Sequence, residues 1–185
     1  MGFVSKVTTQ RDEPSLVADV RYVFRVAYRL TGNRTDAEDL TQDVCEQALR
    51  KAPEFATDGD CRRWLLRVLY NRFVDTRRHR MRSPVIAGAG LEPDAETSAD
   101  ASDPEDLAAQ SQSESALVRA WARLDASQQM LLLLRAEGHE LGDIARIAQI
   151  DKAALSSRLY RARASLARYL EEEKCVRPIC AVQGE

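Results

Sequence analysis

Histidine is almost missing from this 185-residue chain: only His79 and His139 are present. With so few imidazoles the sequence contains no metal-ligand cluster of recognisable spacing. A glycine-rich phosphate-binding loop is missing too, although the chain has 8 glycines. These absences argue against an enzyme, and no metal or cofactor is expected. The four cysteines, Cys45, Cys61, Cys175 and Cys180, are scattered rather than spaced as a disulfide framework, which fits a reducing compartment. Cys175 and Cys180 alone are too few ligands for a closed zinc site, so free thiols are expected there. No apolar run approaches the roughly 20 residues that span a bilayer, and the first residues lack the basic-then-apolar pattern of a signal peptide. A soluble, cytoplasmic protein is the expectation.

Basic residues are missing from one segment only. Residues 87–118 hold no Lys or Arg against 8 acidic residues, whereas 1–86 hold 16 against 12 and 119–185 hold 11 against 9. The net charge of -2 therefore hides two mildly basic blocks around an acidic connector. Local field, not net charge, decides affinity for nucleic acid, so a nucleic-acid partner stays open. The composition shift predicts two small domains, 15–83 and 113–171, joined by a flexible connector over 84–112 that is too polar to repay ordering. Residues 172–185 form a cysteine-containing tail.

What is abundant is helical periodicity. Leu16, Val20, Val23, Ala27 and Leu30 form one stripe of a helix over 15–30 that ends at Gly32 and Asn33. Thr35 with Glu38 reads as a capping box for a second helix. Its apolar face is Ala37, Leu40, Val44 and Ala48, and Asp36, Asp39, Asp43 and Glu46 line another face. After Pro53 and a loop to Asp60, the expected N-cap, a third helix carries Trp64, Leu65, Val68 and Leu69 on its core side. Arg62, Arg63, Arg67, Arg72, Arg77, Arg78, Arg80 and Arg82 make it basic, interleaved with Trp64, Tyr70, Phe73 and His79. Cations beside aromatics suit single-stranded nucleic acid, where phosphates take the charge and unstacked bases need a flat surface. From about Ser113, Leu117, Trp121 and Leu124 form a further stripe. Asp125 and Gln128 cap the next helix, which brings Met130, Leu131, Leu133 and Leu134 to a core.

Residues 138–169 hold two helical patterns with almost nothing between them, the spacing of a helix-turn-helix. Leu141, Ile144, Ala145 and Ala148 face the core in the first. Asp151 is a natural N-cap for the second, with Ile150 and Leu155 placed to close as a hydrophobic staple. Gln149 stands in the turn where Gly is usual, at a cost of about 1 kcal/mol if its φ is positive. The second helix buries Leu155, Leu159, Ala162 and Leu166 and presents Lys152, Ser156, Arg158, Arg161, Arg163 and Arg168. Small polar residues near its start can approach base edges, while the arginines reach phosphates.

DAEDLTQD, a loop, WLLRVLYNRFVD, an arginine cluster and a distant helix-turn-helix together resemble a bacterial RNA polymerase sigma factor of the extracytoplasmic-function (ECF) type, over roughly residues 16–82 and 114–170. The resemblance implies an all-α fold with a region 2 and a region 4 domain. It places the core-polymerase contact, with the clamp coiled-coil, on Asp39, Gln42 and Asp43. It builds the pocket for a flipped minus-ten base from the loop 53–60 with Val68 and Asn71, and lays Arg77, Arg78 and Arg80 against the promoter backbone. Minus-thirty-five contacts fall on Lys152, Ala154, Ser156, Ser157, Arg158 and Arg161. Core RNA polymerase (clamp and flap), promoter DNA and an anti-sigma factor are the implied partners, and the acidic connector would thread the channel that carries RNA. The competing reading, a dimeric helix-turn-helix repressor or activator, explains 138–169 but leaves DAEDLTQD and WLLRVLYN without a purpose.

Overall fold

A computed structural model of the chain describes residues 13–51, 58–82 and 104–175. Every regular element among them is a helix: α1 (Glu13–Thr31), α2 (Arg34–Lys51), α3 (Asp58–Arg82), α4 (Pro104–Ala122), α5 (Ala126–Ala136), α6 (Leu141–Ala148) and α7 (Lys152–Cys175). The fold is all-α, with α1–α3 and α4–α7 as two small helical domains.

In the first domain the expected stripes meet as one core. Val23, Ala27 and Leu30 of α1 are buried, joined by Val26, and face Ala37, Leu40 and Val44 of α2. Gly32, at φ 64°, turns the chain, its N–H donating to the Tyr28 carbonyl at 2.8 Å. The cap of α2 is Asn33 rather than Thr35. Its Oδ1 accepts the otherwise free N–H of Asp36 at 3.0 Å, so the helix starts one residue before Thr35. Glu38 is left to pair with Arg34 at 2.8 Å instead of closing a capping box. Asp60 is not the cap of α3 either: it lies inside the first turn and pairs with Arg63. Leu65, Leu66 and Leu69 of α3 are buried to 2% exposure or less, each contributing on the order of 1.5–3 kcal/mol. Asp19, at 1% exposure, is held by Arg62 at 2.8 Å, which offsets the cost of its burial.

The second domain begins earlier than its sequence pattern. α4 starts at Pro104, so residues 104–112 of the expected connector are helical; the rest of that connector, 84–103, lies outside the described residues. Proline suits the first helical position because the N–H it lacks would have no partner there. The stripe is also shifted. Ala116, Ala120 and Leu124 are buried, while Leu117 is 47% exposed, because the small alanines let α4 lie close along α7. Asp125 and Gln128 form the expected capping box on α5, with bonds of 2.8 and 3.1 Å.

Gln149 closes α6 in the left-handed conformation, φ 57° and ψ 43°, with the N–H groups of Gln149 and Ile150 both donating to Ala145. Asp151 accepts the Ala154 N–H at 2.8 Å and so caps α7. Leu155, Leu159 and Ala162 are buried as expected, while Leu166 is half-buried. α7 then runs to Cys175, into the expected tail, because Glu172 and Glu173 pair with Arg123 and Arg119 at 2.6 Å.

Candidate polymerase and nucleic-acid interfaces

The carboxylate stripe of α2 runs alongside the buried face that carries Leu40 and Val44. Asp39, Gln42 and Glu46 are exposed and Asp36 and Asp43 half-buried, so a partner can reach Asp39, Asp43, Glu46 and the Gln42 amide along one helix face. They border a hollow of about 530 Å³ whose opposite wall is Phe73, Thr76, Arg77 and Arg80 from α3. Across it the Arg80 guanidinium lies on Asp36 with two parallel bonds of 3.0 and 3.1 Å. Hydrogen-bonded in this way, Asp36 is held below the usual carboxylate range and Arg80 is raised. Arg77 has no ion pair among the described residues. Burial lowers its pKa, and the neighbouring Arg80 charge lowers it further.

The rest of α3 divides into two halves. Arg62, Arg63 and Arg67, part of the expected nucleic-acid face, are engaged by protein: Arg62 by Asp19, Arg63 by Asp60 and by Asp143 at 2.8 Å, and Arg67 by the Arg146 carbonyl at 3.1 Å. Tyr70 and Phe73 are buried and Trp64 half-buried, so these aromatics form core rather than a stacking platform. Val68, expected beside a flipped base, has 4% exposure and packs inward with Leu65 and Leu69. Asn71, three residues on, is exposed, as are Arg78, His79 and Arg80. Residues 52–57, most of the loop expected to complete the pocket, lie outside the described residues.

On α7, Lys152, Ser156, Ser157, Arg158 and Arg161 are exposed and Ala154 is half-buried. The Ser156 hydroxyl donates to the Lys152 carbonyl at 3.0 Å. Sequence reasoning missed Tyr160, which is 75% exposed on the face opposite Leu155, Leu159 and Ala162. Its register was available: Tyr160 follows Leu159 and stands three residues after Ser157, so helical spacing alone puts it outward.

The two sets of basic residues converge. Arg77, Arg78 and Met81 of α3 and Arg158 and Arg161 of α7 line one hollow of about 440 Å³, floored by Tyr70, Val74 and Leu131. This follows from the contact between domains, in which α3 lies against α5 and α6 and α1 against α5. Polar bonds clasp it: the Tyr22 hydroxyl and His139 Nε2 at 2.6 Å, Tyr70 and Ser127 at 2.8 Å, Arg63 with Asp143, and Arg29 with Glu137. Burial lowers the His139 pKa, partly opposed by Asp143 and reinforced by Arg62, and burial raises that of Tyr22.

The sigma-70 region 2 family model matches residues 16–83. The ECF RNA polymerase sigma factor BldN of Streptomyces coelicolor is 33% identical over 155 residues, covering 82% of this chain and 57% of BldN. SigM of Mycobacterium tuberculosis, also an ECF sigma factor, is 31% identical over 151 residues, covering 81% of this chain and 72% of its own. Among solved structures, the sigma factor RpoE of Bartonella quintana, in complex with the anti-sigma factor NepR, superposes with a TM-score of 0.60 at 26% identity, over 86% of this chain and 96% of RpoE. The chain belongs to the ECF sigma factors of the sigma-70 family, alternative sigma factors that direct RNA polymerase to promoters. No helix among the described residues is long and apolar enough to cross a membrane.

Proposed function

We propose that this chain binds core RNA polymerase through Asp39, Gln42 and Asp43 and reads minus-thirty-five duplex with Lys152, Ala154, Ser156, Ser157, Arg158 and Arg161. Asn71 holds a base of the melted minus-ten strand, while Arg77, Arg78 and Arg80 neutralise its backbone. Residues 15–83 are the region 2 unit and 113–171 the region 4 unit, the latter lengthened by the helical segments 104–112 and 172–175. The protein acts in the cytoplasm and catalyses nothing itself. An anti-sigma factor restrains it, by analogy with the Bartonella relative solved with NepR.

The observation that carries this reading is the placement of particular charged side chains. Asp39, Gln42, Asp43 and Glu46 share one face of α2, while Arg78 and Arg80 are exposed at the end of α3 and Lys152, Arg158 and Arg161 on α7. A basic protein surface and a polyanion can therefore be engaged at the same time, and an amide such as Asn71 can both donate to and accept from an exposed base edge. Run-off transcription with core enzyme and genomic fragments tests the whole. Reversing Asp39 and Asp43 to Arg tests the polymerase contact: binding to core should fall while helical content stays unchanged. If the doubly reversed protein retains core as wild type does, the stripe is only solvated surface.

A further inference from the structure

We infer that the Asp36–Arg80 pair is a latch linking polymerase binding to DNA binding, so that each ligand releases the residue the other uses. The inference rests on the reading of the α2 stripe and the α3 arginines given above. Asp36 is the first acid of the stripe, and Arg80 belongs to the basic end of α3, yet in the free chain each occupies the other. The fork geometry uses both carboxylate oxygens, so Asp36 cannot give a full contact to an incoming cation while Arg80 holds it. Arg80 likewise cannot give its fork to a phosphate. Asp39 adds to the field that keeps Arg80 in place. Both walls of the hollow belong to this one pair of surfaces, since Asp36, Asp39 and Asp43 face Arg77 and Arg80 across it.

A basic partner surface on the stripe competes with Arg80 for Asp36, and a phosphate competes with Asp36 for Arg80. Whichever ligand arrives first bears the cost of breaking the pair, and the second binds without it. That is positive linkage, and it must be reciprocal. Both side chains are partly solvated, 49% for Arg80 and 31% for Asp36, which limits the effect. An ion pair of this exposure with bidentate geometry supplies about a two- to fivefold effect.

The test measures affinity for core polymerase with and without a short thymine-rich single strand, in wild type, Arg80→Gln, Asp36→Asn and the double variant. Without DNA, Arg80→Gln should bind core about two- to fivefold more tightly than wild type, because Asp36 is free from the start. With saturating DNA that advantage should vanish, and it should be absent in the Asp36→Asn background. Arg80→Lys, which keeps the charge but loses the fork, should fall between wild type and Arg80→Gln and guards against a folding defect, which circular dichroism also reports. Core affinity of Arg80→Gln equal to or below wild type, or a gain that persists beside Asp36→Asn, overturns the latch. Reversal of Asp39 and Asp43 is the separating control. Should that reversal leave core binding intact, the polymerase reading itself has failed; should it abolish binding while Arg80→Gln does nothing, only the latch has.

Discussion

At Gln149 a side chain is held where the backbone is left-handed, φ 57°, and the residue is exposed, so no contact offsets the strain. Gln149→Gly should stabilise the protein by about 0.5–1 kcal/mol, and Gln149→Val should cost more than about 1 kcal/mol, in urea unfolding. His139 makes a second prediction. Its folded pKa lies below the ordinary value, so between the two the unfolded or separated form binds the proton and the closed form does not. The stability it lends is therefore full above about pH 6.5 and is lost as pH falls from there through the folded value. A domain-to-domain distance measured by energy transfer should lengthen on acidification below about pH 6.5, and His139→Asn should flatten the response.

Among the elements, α6 and α7 were the most legible, since cap and turn are local patterns, although Leu141, expected on the core face of α6, is 41% exposed and Ile147 is buried instead. The register of α4 was not. Leucine and tryptophan carry the periodic signal, whereas the contact with α7 selects the small Ala116 and Ala120, and no periodicity reports which partner a helix will have. Asn33, the cap of α2, is masked in the sequence because Thr35 and Glu38 match a capping-box pattern two residues later. The site followed the same division. Exposure of Asp39, Gln42, Arg158 and Arg161 and burial of Val68 all follow from helical spacing; the resemblance, not the periodicity, set Val68 beside a flipped base. At this scale Arg158→Ala should weaken closed-complex binding to duplex promoter by about 1–3 kcal/mol if it contacts a base edge. Asn71→Ala should spare duplex binding and damage strand opening. Permanganate reactivity of promoter thymines beside filter binding on duplex and pre-melted templates separates the two. Normal melting by Asn71→Ala together with intact closed-complex binding by Arg158→Ala would refute the division of labour.

On the scale of the molecule, the domain contact was invisible in the sequence because its partners are remote: Tyr22 and His139 stand 117 residues apart. A compact chain of this length has a radius of gyration of about 16 Å. Minus-ten and minus-thirty-five elements are separated by roughly 25 base pairs, or about 85 Å at 3.4 Å per pair. If Arg77 and Arg158 make the contacts proposed above, two residues lining one hollow cannot reach both elements, and the domains part on promoter DNA. Replacing Arg29 and Arg63 with Ala should therefore enlarge the free chain in small-angle scattering while leaving its helical content unchanged. An unchanged scattering profile would show that the clasp residues do not hold the domains together.

The shared hollow also binds two histories to one another. Arg158 and Arg161 border the same space as Arg77 and Arg78, so, if α7 reads promoters as proposed, a substitution that changes its preference also changes the lining of the hollow between the domains. Drift in the set of genes served and drift in how firmly the idle protein stays folded on itself are then inherited together. On that reading Tyr70 and Arg77, which line the hollow with Arg158 and Arg161, should covary with them across relatives rather than with their own nearest neighbours in the chain.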